Sequence, residues 1–551
     1  MTEQYFNPKE VNDFFSDIAM LPHCSGSEYA VYDYIIEKIG ELAPGIPEAL
    51  TIVNTILNAD TWKNASPGER VIVLRRKASP KMEEAAKIIL QGHMDMVCVA
   101  PPGKHPWEMP LEIFDDPQLG AKVLKRGGQT EAEGGTLGAD DGIGIATALA
   151  IITDTTGKFL PKAHGMVECL FTVQEETNMG GARGFDPGLL TGDTFLNLDS
   201  ETYNVITYGS AGGSGIQYQW MPTLEDIQDD DVTVSVSIMG LAGGHSGIDI
   251  DEGKGNAIKI TAQLLRWLRE VKNIEARVIA LGSGTAPNAI PNSATLSAAF
   301  SGSFGDFRSA CVEFLGVQKS AYHSTDPNMT WNIEQTAMTG QSLDVVSTHG
   351  LVDRLMLIPT GPLKMLSEPD NVVETSVNVA MIDLDARRQK GKVSLTCSNR
   401  SASDSALTSV EALHQQVAAL FGMPMTVNTD VEDADAVIKD DFVMEGTGML
   451  VISGRYPGWM PDEKSKLLSR AVAAYHETFP KIPESDLKEV VHAGLECGWF
   501  IARFTQLNRP IDCIAVGPTI VTPHTWNERL VIDTVPVFVK NVTQIIASLW
   551  K

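Results

Sequence analysis

Ile88-Ile89-Leu90-Gln91-Gly92-His93-Met94-Asp95 reads as a short buried strand that ends in polar, chemistry-bearing residues. Side chains of a strand alternate between faces, so His93 and Asp95 project to the same side from its C-terminal end. Open α/β sheets place their ligands at that end of their strands. Similar apolar runs lie at 71–74, 166–173, 195–198 and 511–516, and 143–152 is apolar, Ala-rich and long enough for a helix. Strands separated by helical segments predict an α/β layer built on a mixed, largely parallel sheet flanked by helices.

The texture changes near Tyr208-Gly209-Ser210-Ala211-Gly212-Gly213, a run of small residues suited to a hinge. Beyond it Val232, Val234, Val236 and Ile238 alternate with Thr233, Ser235 and Ser237, the pattern of a sheet covered on one face only. A helix with Leu264, Leu265, Leu268 and Val271 on one side follows, then strand, helix and strand patterns over 294–300, 307–315 and 329–333. A similar order returns over 373–384, 393–397, 405–421 and 425–429. This predicts an inserted α+β domain of two related halves, ending at the turn residues Tyr456-Pro457-Gly458-Trp459. The expected division is 1–208 and 456–551 for the α/β domain and 209–455 for the insertion; insertions of this kind are tolerated because domain termini often lie close together.

Composition narrows the function. The chain has 551 residues, more than one core usually organises, and a formal net charge of -27. So acidic a surface repels phosphate backbones and anionic lipids, which argues against nucleic-acid and membrane partners. No stretch approaches the roughly 18 apolar residues of a membrane span. The start, MTEQYFNPKEVNDFF, lacks a basic segment followed by an apolar core. The 7 cysteines, Cys24, Cys98, Cys169, Cys311, Cys397, Cys497 and Cys513, are odd in number, spread out and never in a Cys-x-x-Cys pair. They are expected to be reduced thiols in a cytoplasmic protein.

Four further segments carry chemistry. Gly135-Thr136-Leu137-Gly138-Ala139-Asp140-Asp141-Gly142-Ile143-Gly144 sets two acids in a glycine-rich loop before an apolar helix. It is not a dinucleotide fingerprint: the third glycine is missing, the acids would repel pyrophosphate, and no strand feeds directly into it. Gln174-Glu175-Glu176 follows the strand run over 166–173, and neighbouring residues point different ways, so one acid can bind a metal while the other handles a proton. Asn197-Leu198-Asp199 ends another strand, and His524 lies in a Pro-rich loop after the run over 511–516. Taken singly, each fits a solvated acid or a loop histidine. Together they place His, Asp, Glu, Asp and His at the ends of separate strands of one sheet, a donor set suited to zinc, or to manganese or cobalt. A carboxylate shared between two ions explains how five ligands could serve both.

The motifs QGHMDMV, GTLGADDGIG, TVQEETNMGGA, NLDSE and GPTIVTPH resemble those of the co-catalytic dizinc peptidase family that holds carnosinases and aminoacylases. HAGLECG (492–498) and Tyr456-Pro457-Gly458-Trp459 are similar to its aminoacyl-histidine dipeptidase branch. The resemblance implies a zinc-peptidase-like catalytic domain with a lid domain, and a cytoplasmic metallo-dipeptidase acting on Xaa-His or broader dipeptides. An N-acyl-amino-acid amidohydrolase, a tripeptidase and a catalytically silent peptide binder are the alternatives. By the same match Asp140 would bridge two metal ions, His93 and Asp199 would complete one and Glu176 and His524 the other. Asp95 would hold the His93 ring, Glu175 would be the general base, and the Asp140-Asp141 peptide would be cis. In the insertion His245 would stabilise the oxyanion, and Asn288 and Arg400 match substrate-contact segments. Glu496 would read a free α-amino group. The implied partner is a small peptide, and a homodimer through the inserted domain is the assembly that the resemblance allows.

Overall fold

The strand predicted around Ile88 is the middle of a sheet. In the computed structural model, which describes residues 3–54, 59–388, 391–423, 425–429 and 448–551, strands β1 (Ile72–Arg76), β2 (Ile88–His93), β3 (Val167–Thr172), β4 (Thr194–Asn197) and β5 (Asp512–Ala515) belong to one eight-stranded sheet. Positions 389–390, 424 and 430–447 of the predicted insertion lie outside the described residues. The sheet order is Leu50–Ile52, β1, β3, β2, β4, β5, Ile206–Ser210, Lys488–Val491. Strands β3, β2, β4 and β5 run parallel, while β1 and Leu50–Ile52 pair antiparallel at one side. Every residue of β2 and β3 is buried, as expected of a sheet covered on both faces. The helix Ala139–Ile152 packs on β2 and against the helix Lys9–Ala19; it is wholly buried and, beyond the two acids of its first turn, almost entirely apolar.

The chain divides into two units. The first holds Met1–Gly209, Pro461–Val490 and Leu495–Lys551; the second holds Ser210–Met460 and Val491–Gly494. The second is built on a ten-stranded sheet. Its strand Val232–Met239 pairs antiparallel with Ala294–Phe300 and Thr330–Thr336. Val234, Val236 and Ile238 enter a core shared with Leu264, Leu265 and Leu268 of the helix Ala257–Lys272, which is what their alternation predicted. Val373–Asp385, Val393–Ser401, the helix Asp404–Leu420 and the strands Met425–Thr429 and Gly448–Tyr456 continue the α+β pattern. Among the described residues no helix is long and apolar enough to cross a membrane.

A small five-stranded sheet in the first unit matters for function. Ile520–Val521 pairs with Arg529–Val531, which pairs with Ala121–Gly127, which in turn pairs with Gly134–Gly135 and Leu111–Asp116. The loop of His524 and the loop leading to Asp140 thereby spring from one sheet. Arg126, on Ala121–Gly127, is fully buried and donates to the carbonyls of Pro106, Met109, Ala19 and Leu137 at 2.8, 3.3, 2.6 and 3.0 Å. Its charge is spread over four backbone carbonyls, as a buried cation requires.

The cysteines correct the sequence reading. Cys24 and Cys98 form a disulfide, and the remaining five are buried free thiols. The two lie 74 residues apart, so no local motif announces the pair. A β-bridge between Cys24 and Met96 brings the segments together, and the Cα atoms come within 5.5 Å, inside the range a disulfide spans.

Candidate metal centre

All five predicted ligands belong to the first unit and converge. His93 ends β2, Glu176 follows β3, Asp199 follows β4, Asp140 begins the helix Ala139–Ile152, and His524 lies between Ile520–Val521 and Arg529–Val531. His93 Nε2 is 3.0 Å from Asp140 Oδ1 and 3.6 Å from Asp199 Oδ1. His524 Nε2 is 3.0 Å from Asp140 Oδ2 and 2.8 Å from Glu176 Oε2. Asp140 thus turns one carboxylate oxygen to each histidine. His93, Asp140 and Asp199 form one group able to hold a cation, and Asp140, Glu176 and His524 form a second. The Asp140-Asp141 peptide is cis.

The electrostatics fit two cations. Burial opposes ionisation of Asp140, yet hydrogen bonds from His524 and His93 hold its carboxyl far below the usual range. Burial pushes Asp199 up to about 7 and Glu201 up to about 8, with Asp140 adding repulsion at both. Burial likewise drives Glu175 well above the normal carboxylate range, reinforced by Asp199, Glu176 and Glu496. Glu176 Oε1 is buried without a hydrogen-bond partner. A crowd of acids around two imidazoles, with an orphaned oxygen among them, is the donor set that hard or borderline divalent ions take.

The neighbouring residues take defined positions. Glu175 and Glu176 open a short helical turn after Gln174, whose φ is 59°. Asp95 receives the amides of both, Glu175 N at 3.0 Å and Glu176 N at 3.2 Å, together with Ser25 Oγ at 2.7 Å. Its carbonyl oxygen lies 3.0 Å from His93 Nδ1, whereas its carboxylate is 3.6 Å away. Asp95 therefore meets the ring chiefly through its backbone and uses its carboxylate on the turn that carries Glu175. Glu496 is fully buried; its Oε2 accepts from Gln91 Nε2 at 2.6 Å and Thr172 Oγ1 at 2.8 Å, and its Oε1 has no partner. Burial pushes it up to about 8.

His245, Asn288 and Arg400 lie in the second unit. The strand Gly244–His245 pairs with Ala289–Ile290, and Ser246 N donates to the Asn288 carbonyl at 2.7 Å, so His245 and Asn288 share one corner. His245 Nδ1 accepts from Gly247 N at 3.2 Å. Arg400 is opposite Ser376 on the neighbouring strand and donates to Tyr456 OH at 3.2 Å, while its Nε is buried and unpartnered. Burial and the Arg400 charge hold the His245 imidazole below its ordinary range and push His492 down to about 3.

Several residues escaped the sequence reading because their partners are remote in the chain. Ser25 and Glu28 support the Glu175 turn, the latter by accepting from Gln174 N at 3.2 Å. Glu528 receives backbone amides of residues 137–139, far away in the sequence. Gly517 passes so close to the residue after Asp199 that a Cβ would sit 1.5 Å from Ser200 O and 2.4 Å from Ser200 C. Gly517→Ala should therefore cost about 1–3 kcal/mol or more of stability, as overpacking does. It should also weaken metal binding at the group containing Asp199. Denaturant midpoints and zinc titration check both; a wild-type profile would mean that the Ser200 segment yields freely.

Together the parallel sheet and the inserted unit give a fold similar to that of peptidases with a dimerisation domain, and the first unit carries two groups of residues able to hold a cation. A peptidase dimerisation domain matches residues 236–313. Among particular relatives, the cytosol non-specific dipeptidase of Escherichia coli (strain K12) is 28% identical over 530 residues, covering 96% of this chain and 95% of that protein. The crystal structure of aminoacylhistidine dipeptidase from Vibrio alginolyticus superposes with a TM-score of 0.79 at 28% identity, covering 99% of this chain and 97% of that one. Aminopeptidase PepT from Bacillus cereus shares the fold, with a TM-score of 0.51 at 14% identity over 99% of this chain and 100% of the other. The chain resembles the aminoacyl-histidine dipeptidase branch, as its motifs implied.

Proposed function

We propose that this chain is a metallo-dipeptidase that hydrolyses Xaa-His or a broader range of dipeptides with two zinc ions, manganese or cobalt fitting the same donors. The observation that carries the reading is Asp140, with one oxygen facing His93 and the other facing His524. The two dipeptidase relatives, each matched over nearly the whole chain, support the substrate class.

His93, Asp140 and Asp199 would hold one ion and Asp140, Glu176 and His524 the other. Bound there, the ions would supply Lewis acidity and lower the pKa of water. Glu175, raised by its surroundings, takes the proton from the attacking water and passes it to the leaving amine. Asp95 fixes the Glu175 turn through two backbone amides. Glu496, with an unpartnered buried oxygen, accepts from the substrate's α-ammonium. His245 stabilises the developing oxyanion and Asn288 orients the substrate. Arg400 pairs the terminal carboxylate, for which a guanidinium fork is suited. The peptidase dimerisation match supports a homodimer, and the relative named for the cytosol supports a cytoplasmic location.

The test is chelation followed by readdition of zinc, manganese or cobalt, assayed on carnosine, other dipeptides, tripeptides and N-acetyl amino acids. Dipeptide hydrolysis lost on chelation and restored by metal supports the reading. Full activity of stripped protein, or turnover of tripeptides or N-acetyl amino acids alone, overturns it. Arg400→Ala should weaken kcat/KM for free-acid dipeptides by about 30-fold or more, as loss of a desolvated charge partner does. The same dipeptides with an amidated C-terminus should be nearly unaffected. Equal losses on both would make Arg400 a structural residue.

A further inference from the structure

Glu528 is 2% exposed, yet among the described residues no cationic side chain bonds to its carboxylate. Its partners are backbone amides. Oε2 accepts from Leu137 N at 2.8 Å and Gly138 N at 3.2 Å; Oε1 accepts from Ala139 N at 2.8 Å and lies 3.5 Å from Asp140 N. Successive amides turned to one side make a concave anion site, and the left-handed Gly138, with φ 73°, lets the loop curl that way. The same loop is gripped from behind by Arg126, which donates to the Leu137 carbonyl.

Glu528 stands four residues beyond His524. The intervening turn is tight: Thr522 and His524 both have positive φ, Thr522 Oγ1 donates to the Asn527 carbonyl at 2.6 Å, and Glu528 N donates to the Thr525 carbonyl at 3.2 Å. The Glu528 carboxylate therefore joins the loop that presents His524 to the loop that presents Asp140. The opposite side of Asp140 has a separate anchor. Asp141 accepts from His93 N at 3.2 Å and from Gly144 N at 3.1 Å, tying the start of the helix Ala139–Ile152 to the strand that carries His93.

We propose that Glu528 is the positioning residue for the His524–Asp140–Glu176 half of the centre, setting its affinity for metal while Asp141 keeps the His93 half in place. The inference rests on the two-metal reading above. Glu528→Gln keeps the shape but turns an acceptor oxygen into an NH2 group facing amide donors, so the His524 and Asp140 loops lose their common anchor.

The test uses full-length protein stripped of metal and titrated with zinc alone, read by calorimetry and by metal content after dialysis. Wild type should take up two ions. Glu528→Gln should retain one with nearly unchanged affinity and bind the other about 10–100-fold more weakly, the usual effect of removing a ligand's support. In a His524→Ala background the Glu528→Gln change should add little, because both act on the same half. Circular dichroism and the melting temperature of the stripped protein report folding, and Glu528→Asp, which keeps the charge at shorter reach, replaces Gln if that variant fails to fold. Equal weakening of both ions, or losses that add in the double variant, overturn the proposal. A wild type that binds other than two ions would overturn the two-metal reading itself, which separates the two failures.

Discussion

Glu175→Gln should lower turnover by roughly 10²–10⁴-fold while both ions remain bound. The amide fills the same space and the turn stays fastened, because Asp95 holds it through the backbone of residues 175 and 176. What disappears is the proton acceptor. Glu176→Gln, one residue on, should behave in the opposite sense. Its Oε2 is 2.8 Å from His524 Nε2 within the second cation-holding group, so metal content should fall first and activity with it. Metal analysis beside steady-state kinetics separates the two. If Glu175→Gln strips metal while Glu176→Gln keeps it, the assignment is reversed.

Asp140→Asn should be the most damaging ligand change. Each carboxylate oxygen faces a different histidine, and an amide offers only one acceptor oxygen. Both groups lose a donor at once, so content should drop from two ions towards none. Turnover should fall on the order of 10³-fold or more, equivalent to losing several kcal/mol of charge stabilisation. His93→Ala or His524→Ala should spare the other half better. Retention of two ions by Asp140→Asn, measured after dialysis, would show that Asp140 does not bridge.

The sequence announces the parts whose signal is local. The apolar run ending in His93 and the alternation of Val232 to Ile238 need only neighbouring residues to be read, and both stand in the structure as strands with the expected faces inward. The hairpin Leu111–Asp116 and Ala121–Gly127 was not anticipated. Its strands expose Glu112 and Ile113 and bury Lys125 and Arg126, which inverts the apolar pattern on which strand reading depends. The ligands were legible only in combination and through the resemblance of their motifs, since each alone fits a solvated acid or a loop histidine; their supports were not. Glu528 meets residues 137–139 only through the fold, and the Cys24–Cys98 pair needs the bridge at Met96 to become neighbours.

That disulfide changes what the polypeptide is as a covalent object. Residues 24–98 form a closed ring that contains β1, β2, His93 and Asp95. A protease that cuts once between residues 25 and 97 yields two pieces that migrate as one until a reductant is added, whereas a cut elsewhere separates them at once. On chain-entropy grounds the ring also removes conformations from the unfolded state, by about 4 kcal/mol for a loop of this length. The gel pattern of a limited digest, run with and without reductant, thus reports the redox state of the ring that holds the first metal ligand.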